Sequence, residues 1–396
     1  MNPVSNAAAA ARAPTTEASQ RAARIPFIDN LRWTMIVLVI TMHAAVTYSN
    51  LGRWYYNEKV PLGTASFLFF ATYQTWLQAF FMGFLFFIAG YFVPGAFDRK
   101  GAGRFLRDRA FRLGVPTLLY MLVIGPATMY FLLVRPNHAN ASLLSWFARY
   151  LRTWGFGNLG TGPLWFCLAL LIFCVVYALV RMLPGATPSN APWLPQDRHV
   201  VAMIAVMGAA TFLVRTAQPV GTAILNMQLC YFADYVLLFI AGIHAGRHGW
   251  LTRIPIAMGK RWLALAVVGG GAAWFALLIS AVALRADVRL FNGGWHWQSA
   301  LISSWEAFFC VGVCLGLVVI FREAFNHLGQ AARFMSDNAF AVYVIHPPVV
   351  IGAALALRSF AAPPVAKFIV VSAISVIVSF AAAAAIRRLP VARTIF

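Results

Sequence analysis

The chain has 396 residues, of which 61% are hydrophobic and 11% charged, and its mean hydropathy is +0.74. A soluble domain is about one-quarter charged, so too little polar surface is present to cover a water-soluble core of this size. The formal charge of +20 raises nucleic-acid binding, but the basic residues fall in short connections between apolar blocks rather than on one exposed arm or face, which argues for membrane topology instead.

Residues 1–23 are rich in Ala, Ser and Thr with scattered Arg, and they lack a continuous apolar stretch. They read as a flexible cytoplasmic tail, residues 1–24, rather than a cleaved signal peptide. Residues 25–396 read as one transmembrane domain. Apolar blocks of about the length that crosses a bilayer as a helix predict spans near 31–50, 66–93, 113–134, 163–183, 200–215, 229–246, 263–284, 299–321, 337–357 and 367–386. The fifth is the shortest. The fold class is therefore all-α, a polytopic transmembrane helix bundle of about ten spans. With the N-terminus inside and the spans alternating, the inner segments collect about twice the Lys and Arg of the outer ones, which puts both termini in the cytoplasm.

The first span, 28-IDNLRWTMIVLVITMHAAVTYS-49, carries Arg32 and His43. Eleven residues of α-helix turn through three full turns and about 20° more, so the two side chains share a face about 16 Å apart along the axis. An Arg and a His in one apolar span normally face a protein interior or an aqueous cavity. Asp29 lies near the same face. The bland readings are a snorkelling Arg32 and a packing His43; their common face weakens both together.

The next inner connection, 99-RKGAGRFLRDRAFR-112, is the most basic stretch of the chain. At spacing i,i+3, Arg109 and Arg112 can share a helical face and offer guanidinium forks to a pyrophosphate. Topology alone is the competing reading of these charges. Further on, Trp165 opens the fourth span, Asp234 lies early in the sixth, Trp295 precedes the eighth, Glu306 lies inside the eighth and His346 near the outer end of the ninth. Glu306 is the most expensive of these to bury, and is expected to be paired or functional. Trp165 and Trp295 suit either a sugar platform or an interfacial aromatic belt. The five cysteines sit in or at the edge of apolar blocks without a CxxC pair, and the histidines show no metal-ligand spacing, so no metal is expected. Dispersed glycines such as Gly269, Gly270 and Gly271 are expected to permit close helix packing.

Arg-x10-His early in a first span, followed by 109-RAFRLGVP-116, 162-GPLWF-166 and 336-SDNAFAVYVIHPP-348, resembles the membrane acyltransferase 3 family, which O-acylates bacterial glycans. The segment 293-GGWHWQSALISSWE-306 is similar to the branch that includes a succinyltransferase of periplasmic glucans. The likeness runs from about residue 24 to the C-terminus, without the extracytoplasmic esterase-like domain appended in some relatives.

That resemblance implies an O-acyltransferase of the bacterial inner membrane that moves an acyl group, acetyl or succinyl, from cytoplasmic acyl-CoA to a hydroxyl of an extracytoplasmic glycan. Neutral imidazole suits removal of a hydroxyl proton, so His43 is the expected base, with Arg32 and Glu306 beside it in the catalytic set. Arg109, Arg112 and Arg32 are expected at the CoA phosphates and pantetheine arm. Trp165, His346, Trp295 and Asp234 are expected on the acceptor side. The competing reading is a multi-span transporter of an anionic metabolite or glycan precursor, against which the sequence shows no half-to-half repeat.

Overall fold

A computed structural model describes residues 24–52, 54–136, 142–158, 160–185 and 192–395. The expected N-terminal tail, up to residue 23, lies outside them. Among the described residues nine helical runs are long and apolar enough to cross a membrane, and no strand is formed.

One of those runs, Thr64–Val134, has 71 residues and makes two crossings. Its first part, α2 (Thr64–Arg109), has Gly101 inside it at φ 70°, ψ 164°, a conformation open to glycine and strained for other residues. Phe97 and Phe105 lie on either side with ring centroids 5.5 Å apart, whereas eight residues of straight helix would separate them by about 12 Å. Lys100 bonds to Asp108 across the same reversal at 2.5 Å. The chain then returns through α3 (110–134), in which α-turns alternate with wider π-turns, and Tyr120 reaches Tyr55 in the connection before α2. The basic connection expected as a loop is thus a helical hairpin.

The remaining crossings are α1 (Pro26–Ser49), α5 (Trp165–Met182), α6 (Asp197–Ala217), α7 (Phe232–His248), α9 (Ile256–Ala283), α10 (Trp297–Ala324), α11 (Gln330–Ala356) and α12 (Pro364–Ile386). Between them, α4 (Leu143–Asn158) occupies a connection in which the sequence predicted no element, and α8 (Trp250–Arg253) is a single turn.

Polar contacts sort the helix ends into two groups. At one end Arg24 meets Asp337 at 2.7 Å, Asn30 donates to the Phe325 and His327 carbonyls, Asp98 takes both Arg181 and Arg247, Arg261 pairs with Asp197, and Arg387 donates to Asn338. Both ends of the described chain and the Gly101 hairpin lie here, at what is called the basic end. At the far end Lys367, 6% exposed, pairs with Glu58 at 2.6 Å.

Glycines set the closest helix contacts. A Cβ on Gly242 would stand 2.1 Å from the Phe87 carbonyl oxygen, one on Gly246 2.3 Å from that of Tyr91, and one on Gly90 2.3 Å from that of Phe239. Hence α2 and α7 touch backbone to backbone, a packing open to small residues only. Gly270 and Gly271 face Phe309 and Trp76 at ordinary to tight distances, and Gly269 meets nothing within 4 Å; of the triplet in which the sequence suggested close packing, two members take part.

Candidate functional site

His43 lies near the far end of α1, about 9 Å short of its C-terminus by helical rise. Its Nδ1 is 3.1 Å from Nε2 of His346 on α11, and α1 and α11 are packed along their length. The His346 Nδ1 is 2.8 Å from the Tyr343 carbonyl oxygen. A carbonyl only accepts, so His346 Nδ1 carries the proton and its Nε2 presents a lone pair. That lone pair accepts from His43 Nδ1–H, and the free lone pair of His43 therefore lies at Nε2. A chain of two hydrogen bonds thus sets the tautomer of a neutral imidazole and leaves a base exposed at its other nitrogen. His346 is fully buried while His43 is half-buried, so the second ring holds and the first is reachable.

The sequence motifs meet around this pair. Tyr343, on the same turn as His346, donates its hydroxyl to the Pro163 carbonyl. The preceding Gly162 has φ +51°, and a Cβ there would stand 2.4 Å from the Tyr120 ring and 2.5 Å from the Tyr55 hydroxyl. Tyr120 donates to Tyr55 at 3.1 Å, and burial pushes the Tyr55 phenol up to about 12, so it stays a neutral hydroxyl. Next to Tyr55, Trp54 stacks on His43 with centroids 3.9 Å apart and planes 28° apart. Segments 54–55, 162–163 and 343–346 therefore close a ring of contacts about His43.

Arg32 points the other way, toward the basic end. Its side chain is 53% exposed and 3.6 Å from Asp29, and Arg24 and Arg109 are close enough to act on it electrostatically. Between Arg32 and His43 the shared face of α1 is filled by Ile36 and Val39, 8% and 2% exposed. Arg109 is half-buried, with its guanidinium 5.3 Å from the Phe105 ring centroid. Arg112 is exposed and lines a recess of about 250 Å³ with Arg107, Asp108 and Phe111. A π-turn, Ala110–Gly114, begins directly after Arg109, and the two arginines differ in their surroundings, Arg109 half-buried and Arg112 exposed.

Glu306 and Asp234 are drawn into a cluster built on Arg215. Arg215 is 1% exposed; it donates to the Glu306 carboxylate and to Ser303, and its guanidinium lies 5.2 Å from the Tyr231 ring. Asp234, 3% exposed, accepts from Thr211 at 2.7 Å. The ring that engages His43 is His346, and the carboxylate expected to orient it is held by Arg215 instead. Trp165 belongs to an aromatic core, its ring stacked on Tyr235 at 5.6 Å. Trp295 is 75% exposed at the far end, with a tilted ring contact to Phe212.

Of the sequence-predicted residues, His43 and His346 form one site, Arg32, Arg109 and Arg112 share the basic end, and the rest lie apart from His43. Trp54, Tyr343 and Arg215 are additions. Trp54 sits in a connection with no periodic signal, and Arg215 reads in sequence as an ordinary helix-end charge. Among the described residues no group of three His, Cys, Asp or Glu side chains comes together.

Comparison with curated proteins and with solved structures returns no match. A family model described as an acyltransferase domain matches residues 25–384, from the first turn of α1 to the end of α12, and the chain belongs to the acyltransferase 3 family.

Proposed function

We propose that this membrane acyltransferase moves an acetyl or succinyl group from cytoplasmic acyl-CoA to a hydroxyl of an extracytoplasmic glycan, in a bacterial inner membrane. The observation that carries the reading is the hydrogen-bonded chain from the Tyr343 carbonyl through His346 to His43, which supplies a neutral base at His43 Nε2. The basic end supports a donor whose phosphates are engaged by Arg32, Arg109 and Arg112, with Arg109 the most enclosed. The excess of Lys and Arg there supports a cytoplasmic position for that end.

In this reading a sugar hydroxyl enters from the far end and gives its proton to His43 Nε2 as its oxygen attacks the thioester carbonyl. A C–O bond forms, the C–S bond breaks, and the imidazolium returns the proton to the departing thiolate. His346 accepts from Nδ1–H throughout and holds the ring. Glu306, Asp234 and Arg215 brace the far ends of α6, α7 and α10. Trp165 packs behind the site, and Trp295 marks the acceptor's entry face.

The test is purified protein with acyl-labelled acetyl-CoA or succinyl-CoA and glucan oligosaccharides. Labelled glycan is expected from the wild type and none from His43→Ala. Transfer at the normal rate by His43→Ala sinks the base assignment, and solute flux without acyl transfer favours the transporter.

A further inference from the structure

The connection between α1 and α2 is strapped down over the far end of α1. The Asn57 side chain donates to the Val46 carbonyl at 2.8 Å, the Glu58 amide to the Thr47 carbonyl at 2.8 Å and the Asn50 side chain to the Val60 carbonyl at 2.8 Å. The buried Lys367–Glu58 pair ties it to α12, and Lys367 also donates to the Arg358 carbonyl. This framework seats the Trp54 indole flat against His43 on the side from which an acceptor would come. The same framework leaves the indole Nε1–H buried with no hydrogen-bond partner. A buried donor without an acceptor is unfavourable, so an incoming oxygen at this seat would be favoured.

We infer that Trp54 is a specificity-determining residue, which screens His43 from water and exchanges that cover for a glycan hydroxyl, with its indole N–H donating to the acceptor. The inference rests on the acyl-transfer reading of the same site. Its chemical logic is that water and a sugar hydroxyl compete for one base. Either oxygen can give a proton to His43 Nε2, form a bond to the acyl carbon and release the thiol. With water the product is a free carboxylic acid and the donor is wasted. A stacked indole excludes small solvent molecules from the imidazole face, whereas a sugar carries the polar oxygens that satisfy the indole N–H and an aliphatic face that packs on its ring.

Two measurements on the full chain in detergent or nanodiscs test this. The first is thiol release from acetyl-CoA or succinyl-CoA with no acceptor present. The wild type is expected to release little, and Trp54→Ala more by roughly tenfold; Trp54→Phe, which keeps an aromatic face and lacks the N–H, is expected to stay near the wild type. The second is the rate at which diethyl pyrocarbonate modifies His43, read by mass spectrometry of the α1 peptide. It is expected to rise in Trp54→Ala and not in Trp54→Phe. Equal modification of His43 in all three proteins overturns the screening role, whatever the enzymatic assay shows. Faster modification in Trp54→Ala, with no thiol released by any of the three even after glucan oligosaccharides are added, upholds the screen and removes the acyl-transfer reading instead.

Discussion

His43 Nδ1 lies 3.1 Å from His346 Nε2, and the two residues are 303 positions apart in the chain. Each belongs to a different sequence motif, and the fold joins them because α1 packs along α11. In the proposed mechanism this pairing leaves Nε2 as the basic nitrogen of His43, with a second neutral imidazole as its partner where a carboxylate is more usual.

The first prediction concerns that partner. Replacing His346 by Ala removes the acceptor for His43 Nδ1–H and lets the ring adopt the other tautomer. Acyl transfer is expected to fall by about 10²–10⁴-fold, with little change in KM for acyl-CoA. His346→Gln, whose carbonyl can still accept, should recover part of the loss. Equal rates for the Ala and Gln variants would show that no acceptor is needed at this position.

The pH profile follows from the same geometry. In the proposed mechanism the base is the lone pair on His43 Nε2, and one proton added to the imidazole pair consumes it. Transfer is expected to rise with pH through the titration of the pair and to be lost below it, with an apparent midpoint belonging to both rings together. Measurement of kcat against pH in the wild type and His346→Gln checks this. An acid limb unmoved by the substitution would separate the two histidines.

Arg215 and Glu306 predict a stability effect. Both are buried, and removing one charge leaves the other uncompensated, a loss of about 3–5 kcal/mol. Glu306→Ala and Arg215→Ala are each expected to unfold at markedly lower temperature in detergent. The double substitution Arg215→Met with Glu306→Leu should restore stability, since a packed apolar pair replaces a buried ion pair at little loss. A double variant that is stable and transfers normally would identify the pair as bracing. Normal stability with no transfer would return Glu306 to the catalytic set.

The crossings were legible in the sequence because each is an apolar block of bilayer length bounded by charges; most ends move by a few residues, while α2 continues as helix well past 93 to Arg109 and α9 and α11 begin seven residues early. The turn back between the second and third spans was expected within 94–112, but helix on both sides of Gly101 was not, because a glycine at positive φ inside a continuous helical pattern leaves no gap in the periodicity. Arg32 and His43 were visible as an anomaly within one span. Their partners were not, since pairing between helices far apart in sequence depends on packing that no local pattern encodes. Glu306 was correctly marked as a residue needing a partner, but Arg215 stood at the end of a helix, where charge is cheap and draws no notice. The π-turn between Arg109 and Arg112 went unread for a similar reason, because π-turns carry no reliable sequence signature.

Helix packing offers a clean contrast between two glycines. Gly242→Ala forces a methyl against the Phe87 carbonyl oxygen, which is backbone and cannot swing away. The variant is expected to lose about 1–3 kcal/mol or more of stability, seen as a lower unfolding midpoint. Gly269→Ala meets nothing within 4 Å and replaces a poor helix former with a good one, so it should be neutral or slightly stabilising. Equal behaviour of the two would mean that α2 and α7 are not in backbone contact.

The two arginines of the basic hairpin should differ in how they bind the donor. Arg109 is half-buried over Phe105 and acts on Arg32, so its guanidinium works in a partly desolvated setting. Arg112 is exposed in a recess it shares with Asp108, where salt screens charges effectively. Arg109→Ala is expected to raise KM for acyl-CoA by roughly ten- to a hundredfold, the equivalent of one charge-assisted hydrogen bond, and the increase should persist at high ionic strength. Arg112→Ala should raise KM only a fewfold, with the effect fading above about 0.3 M salt, where the Debye length is well under 10 Å. Because a lysine keeps the charge but not the fork, Arg109→Lys should remain impaired and Arg112→Lys should not. Identical salt dependence for the two Ala variants would show that both arginines meet the donor at the open surface, and would leave Arg32 without a phosphate-binding neighbour inside the bundle.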